Sequence, residues 1–160
     1  LNRLSLNGAL VGVIVLCLGG VAAALVSQYV FDMLPCPWCI LQRVIFLTIA
    51  LVALVALLLP GRPLKLGLGA LGLALAASGI AAAIYQNRVA AQEFSCNLTL
   101  ADRIISALGL ESAVPFLFRI SASCMEAAVD LLGLPYEAWS GMLFAIVGTV
   151  LIMGLRAGAR

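Results

Sequence analysis

Cys36 and Cys39 are the residues from which chemistry can be built. They stand two residues apart in Pro35-Cys36-Pro37-Trp38-Cys39-Ile40-Leu41-Gln42-Arg43, and an uncharged apolar run begins directly afterwards. Two thiols at that spacing, at a helix start, suit thiol–disulfide exchange. Pro37 fits a first helical turn, where its missing N–H costs nothing. Unpaired backbone N–H groups and the positive end of the helix dipole favour a thiolate there. Arg43 follows Cys39 by four residues and Cys36 by seven, so the three share one helical face. From that face Arg43 can stabilise a thiolate or hydrogen-bond an acceptor docked beside the sulfur. The plainer reading is an interfacial arginine snorkelling to the headgroups.

Cys96 and Cys124 make a second pair, 28 residues apart. That separation allows a disulfide without proving one. Two readings compete for the four cysteines. A four-cysteine zinc site is disfavoured, because only one pair has zinc-ligand spacing and the site would have to join a membrane helix end to a loop. Two disulfides, structural or exchanging, are the stronger reading. Cys17 sits within an apolar run, where a thiol behaves as a small apolar residue. The chain has no histidine, which removes the usual general base and the commonest metal ligand.

The elements that must position these thiols are membrane helices. The 160 residues are 64% hydrophobic and 10% charged, against about half and about a quarter in a soluble domain. The surplus apolar surface must face lipid. A net charge of +2 gives no reason to expect nucleic acid. From Leu4 to Phe31 no charge occurs in 28 residues, enough for one span of about 20 residues. A signal peptide is the rival reading, with Arg3 as its basic end, but its apolar core would run only about 7–15 residues. A chain that opens on Leu1 is expected to have been trimmed.

Four spans are expected, at about 8–30, 40–59, 66–86 and 138–155, in a single membrane domain covering 1–160. Pro60, Gly61 and Pro63 break the second from the third. The third is dense in small residues that let helices approach closely. The segment 87–135 carries Arg88, Glu93, Asp102, Arg103, Glu111, Arg119, Glu126 and Asp130, so it is a long extramembrane loop. Within it Ser106–Leu110 reads as a helix ending near Gly109, and Val114–Ile120 as a short amphipathic helix along the membrane surface or simply packed in the loop. Tyr136 and Trp139 open the last span, as amphipathic rings do at an interface. The fold class is therefore an all-α membrane protein, a four-helix transmembrane bundle with a long periplasmic loop between the third and fourth helices.

Charge sets the orientation. Arg3, Arg62, Lys65, Arg156 and Arg160 fall on one side, and all seven acids fall on the other. Short basic segments stay cytoplasmic. Both termini are then cytoplasmic, and the cysteine pairs face the compartment where disulfides persist.

Together these residues resemble the DsbB family of bacterial disulfide bond formation proteins. The resemblance rests on four spans, a CxxC pair opening the second, arginine four residues after its second cysteine, and a further cysteine pair in the second outer loop. The stretch Cys124-Met125-Glu126-Ala127-Ala128-Val129-Asp130-Leu131-Leu132-Gly133-Leu134-Pro135, with Trp139 beyond it, is similar as well. The resemblance covers nearly the whole chain.

It implies an inner-membrane oxidase that draws electrons from a DsbA-like periplasmic thioredoxin-fold partner and passes them to a quinone, ubiquinone or menaquinone. That system is the known case of a periplasm kept oxidising kinetically. By the family pattern Cys36, Cys39, Cys96 and Cys124 are catalytic. The partner attacks Cys96 of a Cys96–Cys124 disulfide, a transient Cys36–Cys124 link follows, and Cys39 delivers electrons at the quinone. Arg43 binds the quinone by polarising a carbonyl, and no metal is implied. Two departures stand out. Gln42 occupies a position where the family often has glutamate, and no histidine closes the third span, so Arg43 is expected to act without one, helped by Tyr85, Gln86 or Asn87. The rival functions are a quinone reductase like vitamin K epoxide reductase and a non-enzymatic membrane scaffold with structural disulfides.

Overall fold

The computed structural model describes residues 5–90 and 99–159. Four long helices dominate: α1 (Leu6–Val30), α2 (Pro37–Leu58), α3 (Arg62–Tyr85, continued by a π turn over Gln86–Ala90) and α7 (Tyr136–Ala159). Each is long and apolar enough to cross a membrane. The connection between α3 and α7 carries three short helices, α4 (Leu100–Ala107), α5 (Leu110–Ala113) and α6 (Pro115–Phe118). The architecture is the expected four-helix transmembrane bundle with a long third connection.

Local chemistry sets the helix ends. Ser5 caps α1 by accepting the Gly8 N–H at 3.1 Å. Asp32, at φ 51°, turns the chain out of α1; aspartate enters that left-handed region more readily than most residues. Cys36 caps α2, and Pro37 occupies its first position. Thr99 and Asp102 form a reciprocal capping box at α4.

In the bundle α1 packs on α2, α2 on α3, α3 on α7 and α7 on α1, closing a ring. Residues three or four apart turn inward. Leu10, Val13, Cys17 and Val21 from α1 meet Phe46, Ile49 and Ala53 from α2, and Phe144, Val147 and Leu151 from α7. Phe46 and Phe144 stack with centroids 3.8 Å apart. Gly79 on α3 makes room for that stack, since a Cβ there would lie 2.5 Å from the Phe144 ring. Large apolar residues also point outward, among them Val15, Leu51, Ile84 and Ile146. Helices apolar all round suit lipid on the outside. At the end opposite Cys36, Arg62 Nε donates to the Gly158 carbonyl and Lys65 Nζ to Asn7 Oδ1 at 3.0 Å.

Two features go beyond the sequence expectation. Residues 114–120 form only one helical turn, α6, with Phe118 buried and Phe116 stacked on Tyr29 at 4.9 Å. Two short strands, β1 (Asp130–Leu131) and β2 (Leu134–Pro135), form a hairpin directly before α7. Its two turn residues, Leu132 and Gly133, have φ of 56° and 80°, the positive values that two-residue hairpins favour.

Candidate functional site

Cys36, Cys39 and Cys124 meet at the N-terminus of α2. Helix geometry alone brings the first two together. As N-cap, Cys36 accepts the Cys39 N–H at 3.3 Å, and the two sulfurs lie 2.9 Å apart. Cys124 arrives from the long connection, because the Pro35 carbonyl accepts the N–H groups of Ser121 at 3.0 Å and Ala122 at 3.3 Å. Cys124 then turns inward through a tight turn in which Ser123 and Glu126 bond reciprocally. The α2–α4 packing supports this docking: Ala101 of α4 joins the cluster that holds Cys36, Trp38 and Cys124, and Ile105 sits against Ile40 and Phe118.

Cys36 is the central sulfur, fully buried, hydrogen-bonded to Cys39 and packed in one cluster with Cys124. The neighbouring sulfurs of Cys124 and Cys39, and burial, push its thiol well above the ordinary range. Cys124 is held below it, first by the hydrogen bond from Cys36 and further by the Trp38 backbone N–H, against the opposing effect of burial. Cys124 thus carries more thiolate than Cys36 at a given pH. No disulfide links Cys36, Cys39 or Cys124 among the described residues. Cys96 lies outside the described residues. Cys17 is buried in the bundle core, away from this group.

On its other side Cys39 forms part of the wall of a cavity of about 260 Å³ between α1, α2 and α7. The walls are mostly small or apolar, including Gly20, Val21, Ala24, Phe46 and Leu143. Arg43 also lines this cavity and is only 5% exposed, so it does not snorkel to a surface. Its guanidinium donates to Gln28 Oε1 at 2.7 Å, to the Leu117 carbonyl at 3.2 Å and to the Ala24 carbonyl at 3.3 Å. These three bonds use three of its five N–H groups. All three acceptors are neutral. The β-hairpin borders the cavity through Leu131, whose carbonyl accepts the Trp139 indole N–H at 3.1 Å.

Three further polar residues complete the site. Gln42 donates to Gln86 at 2.8 Å, and Gln86 donates to Cys39 Sγ at 3.3 Å. Glu137, buried in the first turn of α7, lines the cavity and accepts from Asn87 at 2.8 Å. The sequence pointed to Tyr85, Gln86 or Asn87 in place of a histidine and to Gln42 as a departure; Tyr85 is exposed and does not line the cavity. Gln28 and Glu137 were passed over. The signal for both was available: a lone amide or carboxylate at the edge of an apolar span must find a partner.

The arrangement can pass an electron pair from Cys124 through Cys36 to Cys39, whose sulfur borders a mostly apolar cavity. The family model described as "Disulfide bond formation protein DsbB" matches residues 7–154. Among curated proteins, Disulfide bond formation protein B 1 of Pseudomonas putida is 32% identical, covering 100% of this chain and 95% of its own length. Disulfide bond formation protein B of Dechloromonas aromatica is 33% identical over 88% of this chain and 87% of its own. That of Aromatoleum aromaticum is 32% identical over 93% and 92%.

Proposed function

The chain belongs to the DsbB family of disulfide bond formation proteins, and from that membership we propose that it is a protein-dithiol:quinone oxidoreductase of the bacterial inner membrane. It reoxidises a DsbA-like periplasmic thioredoxin-fold protein and passes the electrons to a membrane quinone. The observation that carries this reading is the double position of the Cys36–Cys39 pair. Cys36 faces Cys124, and Cys39 faces an apolar cavity shared with Arg43.

The residues present fit a quinone. The walls are apolar, and Arg43 keeps two N–H groups beyond those bonded to Gln28, Leu117 and Ala24. A bound quinone supplies a two-electron acceptor with two carbonyl oxygens. Arg43 would hold one of those carbonyls, as a guanidinium suits an oxygen acceptor. Gln42 and Gln86 stand at the polar end, and Gly20, Val21 and Leu143 exclude water.

The thiol steps follow from the chain's own sulfurs. The partner's thiolate attacks Cys96 of a Cys96–Cys124 disulfide, and Cys124 leaves as the thiolate. Cys124 then attacks Cys36 Sγ, the Cys36–Cys39 bond breaks, and Cys39 leaves as a thiolate at the cavity wall. Each transfer is thiolate attack on sulfur, governed by access and thiolate fraction. Cysteines and hairpin face the periplasm, while the Arg62, Lys65 and Arg156 end faces the cytoplasm, supported by the positive-inside rule.

The test mixes the purified protein with a reduced thioredoxin-fold dithiol partner and a quinone, following quinone absorbance. Absorbance is expected to fall in step with partner oxidation. Partner oxidation without quinone loss, or neither, overturns the reading.

A further inference from the structure

Thiol exchange explains the three sulfurs but leaves two buried amides without a role. Gln42 and Gln86 are 3% and 4% exposed. Burying two amides in an apolar bundle is costly unless their hydrogen bonds are made. Here they are made in a fixed sense. Gln42 Nε2 donates to Gln86 Oε1 at 2.8 Å, and Gln86 Nε2 donates to Cys39 Sγ at 3.3 Å. The orientation of an amide is set by its network. With its oxygen taken by Gln42, Gln86 turns its N–H₂ to the sulfur. Gln86 also opens the π turn over Gln86–Ala90, a local widening of the helix that often accompanies functional sites. A sulfur accepts an N–H much better as a thiolate than as a thiol, since a charged acceptor strengthens the bond.

We propose that Gln86 is a positioning residue for the electron-donating sulfur: its amide holds Cys39 at the cavity wall and stabilises the charge Cys39 carries on leaving Cys36, and Gln42 orients that amide. The inference rests on the thiol-exchange reading above. In the step concerned, the Cys124 thiolate forms a bond to Cys36 as the Cys36–Cys39 bond breaks, and the electron pair of the broken bond goes to Cys39. No proton moves, so one negative charge passes from Cys124 to Cys39. Gln86 meets that charge with an N–H already in place, as preorganised donors do where charge develops. Among the described residues, the titratable groups around Cys39 are Cys36 and Arg43 at the start of α2, Cys124 beyond Cys36, and Tyr136 and Glu137 on α7 across the cavity. The α1 and α3 residues lining the cavity add none.

The experiment follows alkylation of Cys39 against pH by peptide mass spectrometry, in the full chain carrying Cys36→Ser so that Cys39 stays a thiol. Gln86→Leu is expected to move the profile to higher pH by about one unit, the order expected from losing a hydrogen bond to a charged group. Gln42→Glu is expected to move it the same way, for a different reason. A carboxylate only accepts, so Glu at 42 draws the Gln86 N–H₂ to itself and turns the Gln86 oxygen toward the sulfur. Gln42→Leu leaves the amide free to turn and shifts the profile less. An unchanged profile in Gln86→Leu, or in Gln42→Glu should the first variant not fold, overturns the proposal. The assay contains neither quinone nor partner protein. Failure of the unsubstituted protein to reduce quinone would therefore sink the acceptor reading while leaving this one intact.

Discussion

Cys36 and Cys124 are distant in the chain yet pack in one buried cluster at the N-terminus of α2. The contact joins a membrane helix to the long connection between α3 and α7. It depends on the Pro35 carbonyl, which takes two backbone N–H groups from Ser121 and Ala122. The two thiols are pushed apart, with Cys36 raised and Cys124 lowered from the ordinary thiol value of 9.0.

Cys124 is therefore expected to alkylate as a thiolate at pH below 9.0 in the reduced protein. Its folded value lies below its unfolded one. Its contribution to stability is fully present above 9.0 and is lost as pH falls through the folded value. Cys36→Ala removes the largest cause of the shift, so the Cys124 alkylation profile should move to higher pH. A profile unchanged by Cys36→Ala would mean that the hydrogen bond does not set Cys124 reactivity.

Cys36→Ala and Cys39→Ala should each reduce steady-state quinone-linked oxidation to background, because each removes a sulfur through which every electron pair passes. Turnover of the partner dithiol, followed by quinone absorbance, is the measurement. Full turnover in either variant would rule out the relay. Cys17→Ala removes a thiol packed in the bundle core, away from the cavity and the other sulfurs, and should keep turnover.

Arg43→Lys should raise the KM for quinone about tenfold or more, the size of a lost hydrogen bond to a charged group. A lysine keeps the charge but cannot bond Gln28, Ala24 and Leu117 and still present further donors to the cavity. The rate of Cys36–Cys124 exchange, read by quenched peptide mapping, should be little affected. Equal dependence on quinone concentration in variant and parent would remove Arg43 from the acceptor site.

Gly79→Ala should destabilise the bundle by about 1–3 kcal/mol through overpacking, because its new Cβ meets the Phe144 ring against Phe46. Thermal unfolding in detergent measures this. Cys124 packs in a different cluster from the Phe46–Phe144 stack, so its alkylation at low temperature should remain as in the parent.

Much of this was legible in the sequence, because lipid imposes simple rules. The uncharged runs gave the four helices, and Pro60 and Gly61 gave the break before α3, while Arg62 and Pro63, expected to lie in that break, open α3 because a proline fits a first helical turn. Arg43 was legible as a neighbour of Cys39 on one helical face, but its burial was not. That burial depends on Gln28 from α1 and on the Leu117 carbonyl, contacts spanning 15 and 74 residues. The hairpin at Asp130–Pro135 was missed because its strands are two residues each, too short for any alternation to register. Glu137 was missed for a related reason. Its role depends on Asn87 across the bundle and on the cavity that α7 forms with α1 and α2.

The relay is tested most directly by peptide mapping of the Cys39→Ala protein, isolated without reductant and quenched in acid. With Cys39 removed, the Cys36 thiol attacks Cys124 of the Cys96–Cys124 disulfide and Cys96 leaves as the thiol, so Cys36 is expected to be found bonded to Cys124, its neighbour in the structure. Recovery of Cys36 as a free thiol, with Cys124 bonded only to Cys96, would contradict the account.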